Sequence, residues 1–244
     1  MSNPDAAQYG ETWAAVYDEI HGHLDPSAAV EYLYKLAAGG TALELGIGTG
    51  RVALPLAARG TVVHGIDASE AMVRRLRDKP GGAAISVTLG DFTDVAVDGG
   101  PYALIYVVFS TMFALPTQDA QVACFRNVAA RLARGGAFVV EAFVPDVSRF
   151  DRFQRVQVNR LDLERADVTL SRHDPLAQRI IGQHVLLTDG SVRLLPVEVR
   201  YAWPSELDLM ARLASMRLRE RHGDWHGGRF TATSPTHVSI YERA

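Results

Sequence analysis

Apolar residues change their spacing twice along this chain. From residue 11 to 38 they recur every three to four positions. "ETWAAVYDEI" (11–20) and "PSAAVEYLYKLAA" (26–38) therefore read as two helices, the second opened by Pro26 and stopped by Gly39-Gly40, after a frayed stretch over 1–8. Short Val- and Ile-rich runs follow: "TALELG" (41–46), "TVVHGID" (61–67), "AISVTLG" (84–90), "YALIYVVF" (102–109) and "AFVVEAFV" (137–144). Between them lie helical patterns over 50–59, 69–78 and 117–133. The last has Thr117 as its N-cap, puts Val122, Phe125, Val128, Ala129 and Leu132 on one face, and stops at Gly135-Gly136. This alternation predicts βαβ units and a parallel sheet covered on both faces. After residue 150 the period falls to two. Two long alternating runs flank Thr188-Asp189-Gly190-Ser191, whose Asp-Gly is a hairpin signal, so 153–203 is expected to be an antiparallel β insert. A helix over 204–214, opened by Pro204, and strands at 216–222 and 236–242 complete the prediction.

The 244 residues are 48% hydrophobic and 22% charged, enough for one sizeable core. The net charge of −3 sets up no field that would draw the chain to nucleic acid or an anionic membrane. The apolar stretch 102–115 is too short to span a bilayer and carries Ser110 and Thr111. A lone cysteine, Cys124, permits no intramolecular disulfide and falls on a predicted helix, where burial is its expected fate. With no signal-like start, the expected setting is the cytoplasm and the expected partner a small molecule, without nucleic acid or membrane.

The chemistry concentrates in "ALELGIGTGR" (42–51). Glycines straight after a strand let the backbone approach a ligand, and the next helix adds exposed N–H groups. A dinucleotide fingerprint needs a glycine where Arg51 stands, and a P-loop needs Gly-Lys-Ser/Thr where Gly50-Arg51-Val52 stands, so both fail. What matches is E-x-G-x-G-x-G, with Glu44, Gly46, Gly48 and Gly50. An acidic residue at the strand end suits a ligand carrying an ammonium group, which points to an amino-acid-bearing nucleoside. Asp67, ending the second run, is placed to accept both hydroxyls of a ribose. After the third run comes Gly90-Asp91-Phe92, with a carboxylate for an adenine amino group and a ring to pack on the base.

In this order on successive strands, these features resemble a class I S-adenosylmethionine-dependent methyltransferase. More narrowly, "YGETWAAVYDEI", "GIGTGRVALPLAARG", "VVFSTMFALPTQDAQ" and "EAFVPDVSRFD" resemble small-molecule N-methyltransferases of antibiotic biosynthesis, those of aminosugar and lincosamide pathways. The resemblance implies an α/β, Rossmann-like sheet of order 3-2-1-4-5-7-6 with the last strand antiparallel, N-terminal helices, and the β insert after strand five. It divides the chain into an N-terminal helical lid (1–40), a cofactor-binding domain (41–152 and 204–244) and the insert (153–203), which roofs the site or makes a homo-oligomer contact. It implies S-adenosyl-L-methionine as cofactor, with S-adenosyl-L-homocysteine as product, and cofactor roles for Tyr17, Glu44, Gly46, Gly48, Gly50, Asp67, Ala68, Met72, Asp91, Phe92 and Phe109.

Methyl transfer from a sulfonium needs the two partners held in line at about 3–3.5 Å. It requires neither a metal nor a covalent intermediate, and the histidine pairs 21/23 and 222/226 do not make a convincing metal site. Ligands of open parallel sheets sit beyond the strands' carboxyl ends. That places Phe109, Ser110, Thr111, Met112 and Phe113 after strand four, and Phe143, Val144 and Asp146 after strand five, around the reaction centre. Tyr9 and Tyr17 would close over it from the N-terminal helices, and Tyr9, Tyr17, Phe109 and Phe113 are the candidate catalytic residues. Trp225 and His226, in "HGDWHGG", would face the same opening. Arg217, Arg219 and Arg221 read as a solvated strand face. The expected acceptor is an amine nitrogen of a small secondary metabolite. An oxygen or a ring nitrogen is the alternative within this chemistry. From other classes come a nicotinamide-dependent reductase, opposed by the missing third glycine, and a non-catalytic cofactor-binding module.

Overall fold

Five apolar runs form the parallel heart of the molecule in a computed structural model that describes residues 6–94 and 96–244. In chain order the elements are α1 (Ala6–Trp13), α2 (Tyr17–His21), α3 (Ser27–Ala37), β1 (Ala42–Leu45), α4 (Ala53–Ala58), β2 (Val63–Asp67), α5 (Glu70–Arg77), β3 (Ser86–Leu89) and β4 (Tyr102–Val107). Then follow α6 (Gln118–Arg131), β5 (Leu132–Phe143), β6 (Gln154–Leu161), β7 (Arg165–Asp174), β8 (Arg179–Thr188), β9 (Ser191–Arg200), α7 (Pro204–Leu213), β10 (Met216–His222) and β11 (Thr236–Arg243). One sheet runs β10-β11-β5-β4-β1-β2-β3. Setting the insert strands aside, this is the order 3-2-1-4-5-7-6, with β1 to β5 parallel and β11 antiparallel to β5 and β10.

Period-two alternation sorts the core into two layers. Leu43, Leu45, Ile105, Val107, Phe138 and Val140 face α6 and α7, whereas Ala42, Leu104, Tyr106, Ala137 and Val139 face α3 and α4. Thr117 caps α6 as expected, its side chain accepting from Ala120 N–H at 3.1 Å. Leu132, expected on that helix, instead begins β5 opposite Tyr102. Gly135 and Gly136 do not stop the helix. They lie inside the strand, where the pairing jumps from Tyr102–Leu132 to Leu104–Ala137, and Gly135 supplies the positive φ of 76° that this irregularity needs.

The single helix expected over 11–20 is two helices with a turn between them. The break lets α1 lie on α5 while Asp18 of α2 reaches Thr49 in the glycine turn, with Asp18 Oδ1 accepting from Thr49 Oγ1 at 2.6 Å. The stretch over 1–8 lies outside the described residues as far as residue 5, and residues 6–8 already belong to α1.

The insert is a second sheet, β6-β7-β8-β9, fully antiparallel, with Asp189-Gly190 turning β8 into β9 and Thr188 paired with Ser191. Leu186, Leu195 and Val197 on one face pack on Trp13, Ala14, Val16 and Met72, and Trp13 Nε1–H donates to the Pro196 carbonyl at 2.9 Å. The insert is therefore bound to the N-terminal helices. Its opposite face carries Val156, Val158, Leu161, Leu170, Val192 and Leu194, all exposed. Among the described residues no helix is long and apolar enough to cross a membrane.

Candidate functional site

The glycine turn begins where β1 is buried on both faces. Gly46 and Ile47 both donate to the Ile66 carbonyl, at 2.8 and 3.1 Å, so the turn is stitched to the end of β2. Gly46 has φ 70°, and a Cβ there would lie 2.5 Å from Thr111 Cγ2. No other residue fits without moving the segment after β4. Asp67 organises the same turn. Its Oδ2 accepts from Gly48 N–H at 2.7 Å and its Oδ1 from Ser69 N–H at 2.9 Å. Burial raises its carboxyl, and the two N–H bonds oppose that shift. Each oxygen keeps a lone pair for a ligand hydroxyl.

Glu44 is 3% exposed, with Oε2 accepting from Tyr106 Oη–H at 3.0 Å. Burial pushes its carboxyl up to about 8, against the pull of the Tyr106 hydrogen bond and the Arg51 charge. Above it lies a cleft of about 300 Å³, counting its solvent-open part, lined by Tyr17, Glu44, Gly46, Arg51, Phe109, Thr111 and their neighbours. Burial raises the Tyr17 hydroxyl, while the bond to the Arg51 side chain pulls the other way. The Arg51 guanidinium stands 4.8 Å from the centre of the Phe109 ring. The chain thus brings a buried acid and a guanidinium to one cleft, the pair needed to hold an amino acid by its ammonium and carboxylate groups.

Phe109 forms the outer wall and is 40% exposed. Both Phe109 and Ser110 adopt positive φ, 57° and 61°, at roughly 1–2 kcal/mol each for an L residue. His21 meets Phe109 edge-on at 5.1 Å and Tyr17 at 4.8 Å, and stacks on Trp13 at 5.8 Å. Burial, then the nearby His184, Arg51 and His23, push its imidazole down to about 4, so it is neutral at physiological pH. Tyr9 is half-buried, stacked on Trp13 at 5.5 Å, and its hydroxyl is raised by burial and by the neighbouring Tyr17 and Asp67.

Other candidates lie elsewhere. Phe113 is fully buried, packed edge-on against Phe143 at 5.0 Å within the α6 layer, and does not line the cleft. The segment Thr111–Ala114 is a 3-10 turn, so the four-residue spacing that would align 109 with 113 on an α-helix turns them apart. Met72 is buried beside Trp13, and Phe92 is core, with its ring edge 3.7 Å from where a Gly46 Cβ would sit. Ala68 is half-buried beside Asp67. Asp91 is exposed and accepts from Thr93 N–H at 2.7 Å, a turn cap that leaves its other oxygen free. Asp146 caps its own turn through Ser148 and pairs with Arg149. His226 is exposed, whereas Trp225 turns inward. Arg221 is not on a solvated face: the bulge at Leu218/Glu220 turns it onto Asp208, Ser239 and Tyr241. Among the described residues no three His, Cys, Asp or Glu side chains come together as a metal site.

Three residues at the site were not singled out for it by the sequence. Arg51 read only as the residue that breaks a dinucleotide fingerprint. His21 was legible only in part: Tyr17 and His21 fall four apart on α2, but Trp13 joins them through the turn between α1 and α2, which its spacing does not show. Glu141, whose carboxylate accepts from Phe109 N–H at 2.8 Å, sits on a strand where alternation alone gives it no role.

Comparison with known proteins agrees with this geometry. A family model described as "Methyltransferase domain" matches residues 42–136. Cypemycin N-terminal methyltransferase from Streptomyces sp is 28% identical over 249 residues, with both chains covered in full. The structure of the CcbJ methyltransferase from Streptomyces caelestis superposes with a TM-score of 0.93 at 39% identity, covering 98% of this chain and 99% of that one. CalS10, a SAM-bound amino pentose methyltransferase from Micromonospora echinaspora involved in calicheamicin biosynthesis, shares the fold, with a TM-score of 0.68 at 19% identity over 95% of this chain and 96% of that one.

Proposed function

We propose that this chain, which belongs to the S-adenosylmethionine-dependent methyltransferases, methylates an amine nitrogen of a small secondary metabolite. The observation that carries the amine reading is the wall beside Phe109. His21 packs edge-on against Phe109 at 5.1 Å and Tyr17 at 4.8 Å, so an amine entering beside these rings leaves water behind and sheds its proton, keeping its lone pair, whereas a sulfonium has no proton to lose. The full-length similarity to an N-terminal methyltransferase supports the same atom type.

The residues present suit the cofactor. The positive-φ glycine turn leaves room for close approach, Glu44 releases its proton to pair with an arriving ammonium while Arg51 offers a guanidinium to the carboxylate, and Asp67 offers lone pairs to a ribose. When bound, S-adenosylmethionine supplies an electrophilic methyl group on sulfur. The chain supplies position and dryness. Phe109 and Tyr17 wall the cleft, and Tyr9 adds a hydroxyl near Asp67. Of the expected lid over 1–40, α3 belongs to the sheet core and residues 1–5 lie outside the described residues; α1 and α2 serve as the lid, latched where Lys79 Nζ donates to Asp18 at 2.9 Å and to the Thr49 carbonyl at 2.8 Å.

The exposed face of the insert docks a second copy of this chain. Four strands at about 4.8 Å spacing and ten residues at about 3.3 Å give roughly 500–600 Å² per copy, so a twofold pair buries about 1,000 Å², enough for a specific contact. The face carries an aliphatic patch of Val156, Val158, Leu161, Leu170, Val192 and Leu194 beside Gln154, Arg172 and Gln183, and a twofold axis would set patch on patch. An oxygen or ring-nitrogen acceptor is the alternative outcome, and the reductase reading falls with the family assignment. The deciding experiment incubates the enzyme with S-adenosylmethionine and a panel of aminosugars and amino-acid amides, follows S-adenosylhomocysteine, and locates the new methyl by NMR. Methyl on nitrogen is expected. Methyl on oxygen overturns the reading.

A further inference from the structure

Two consecutive non-glycine residues with positive φ end β4, and something must hold them there. Phe109 and Ser110 leave the strand pairing and turn the Phe109 ring out over the cleft. The holder is on β5. Glu141 Oε2 accepts from Phe109 N–H at 2.8 Å, a charge-assisted bond to the backbone of the wall residue itself. The Glu141 main-chain carbonyl accepts from Ser110 N–H at 3.1 Å, and Ser110 Oγ accepts in turn from Phe143 N–H at 3.0 Å.

The second carboxylate oxygen is also in use. Glu141 Oε1 accepts from the indole Nε1–H of Trp225 at 2.9 Å. Trp225 belongs to the loop joining β10 to β11, more than eighty residues away in sequence. Its ring lies edge-on to Tyr32 of α3 at 6.0 Å, and the Tyr32 hydroxyl is 3.0 Å from His222 Nε2 at the end of β10. One carboxylate therefore joins a loop of the last hairpin to the wall of the cleft, and removing it strands two N–H donors at once.

We infer that Glu141 is a positioning residue for methyl transfer, and that the 222–228 loop sets the Phe109 ring through it. This rests on the reading of Phe109 as the wall that meets the sulfonium. The ring already meets one cation, the Arg51 guanidinium 4.8 Å from its centre; a ring fixed beside the sulfonium favours the cationic cofactor over its neutral thioether product, and a ring that swings loses the preference. A carboxylate that merely braced the fold would not distinguish the two.

Calorimetric Kd values for S-adenosylmethionine and S-adenosylhomocysteine test this in the wild type, E141Q, W225F and F109A. Glu141→Gln keeps the shape but leaves one acceptor oxygen for two donors, and its amide must face one of them. Expected is a loss of about fivefold to tenfold for S-adenosylmethionine against less than twofold for S-adenosylhomocysteine, with a change in tryptophan emission. W225F, which keeps the Phe109 bond and frees only the loop, should shift the ratio in the same direction and by less. If E141Q does not fold, the W225F ratio decides. Equal losses for both ligands, or an unchanged ratio in E141Q and W225F while F109A changes it, overturn the inference. A ratio unchanged in F109A overturns the reading of Phe109 and the role of Glu141 with it.

Discussion

Replacing Glu44 by Gln should change the pH dependence of stability in a direction the structure dictates. Glu44 is buried under the cleft, and its carboxyl is raised from an ordinary 4.5 to about 8, chiefly by burial. Between those values the unfolded chain has lost this proton while the native protein keeps it. The native state then binds more protons, so stability falls as pH rises. The contribution is fully present below about 4.5 and lost by about 8. At about 1.4 kcal/mol per unit, the wild type loses roughly 4 kcal/mol from this group between pH 5 and 8. Gln cannot ionise and escapes that slope. Its amide still accepts from Tyr106, but its N–H groups need partners and cost about 1–3 kcal/mol at every pH. Measured by thermal unfolding, E44Q should start level with or below the wild type at pH 5. It should gain on it steadily to pH 8, by about 2–4 °C in Tm per kcal/mol. The same variant should bind S-adenosylhomocysteine more weakly, because Glu44 can give up its proton to pair with the arriving α-ammonium and an amide cannot. A Tm difference that stays constant from pH 5 to 8 would refute the assignment of a buried, protonated Glu44.

Asp67→Ala should weaken S-adenosylhomocysteine by about 1–3 kcal/mol in calorimetry, since it removes the proposed ribose contact and frees Gly48 and Ser69 N–H; unchanged affinity rejects that contact. Asp18→Ala, which releases α2 from Thr49 and Lys79, should speed cofactor dissociation several-fold in stopped-flow traces with little change in melting temperature, because the broken contacts are half-exposed. Val158→Lys with Leu194→Glu should convert a dimer to a monomer in analytical ultracentrifugation; a wild type that is already monomeric at tens of micromolar sinks the docking proposal.

The parallel sheet was legible because each Val- and Ile-rich run is bounded by glycines or a cap and is too short for a buried helix. The start of β5 was not. Leu132 fits the apolar stripe of α6, and only the pairing partner, Tyr102, pulls it into the sheet. The glycine turn was legible as a motif, but the work of Asp67 was only half visible. That it holds Gly48 depends on the close approach of β1 and β2, which the order of residues does not encode. Phe113 was misplaced for a definite reason: spacing by four has meaning only on an α-helix, and the chain there is a 3-10 turn entered through two left-handed residues. Glu141 was invisible, because its importance comes from where the Phe109 amide points.

The cleft is bounded by segments that are distant in sequence and joined by few bonds. The floor is the glycine turn, and Asp67 and the β2 backbone hold it. The outer wall is the turn after β4, held by Glu141. The roof is the stripe Trp13, Tyr17 and His21, whose last ring touches Phe109 while its first is hydrogen-bonded to Pro196 in the insert. A shift of the insert sheet must therefore move Trp13, and through the stacked rings it must move His21 against Phe109. The floor is tied to that path through α2, where Asp18 accepts from Thr49 and the Tyr17 hydroxyl bonds the Arg51 side chain. Substitutions in β8 and β9 are thus able to reshape the acceptor side of the cleft while Asp67 and the β2 backbone hold the glycine turn. Under the proposed function, such an arrangement suits one binding frame to acceptors of different shape.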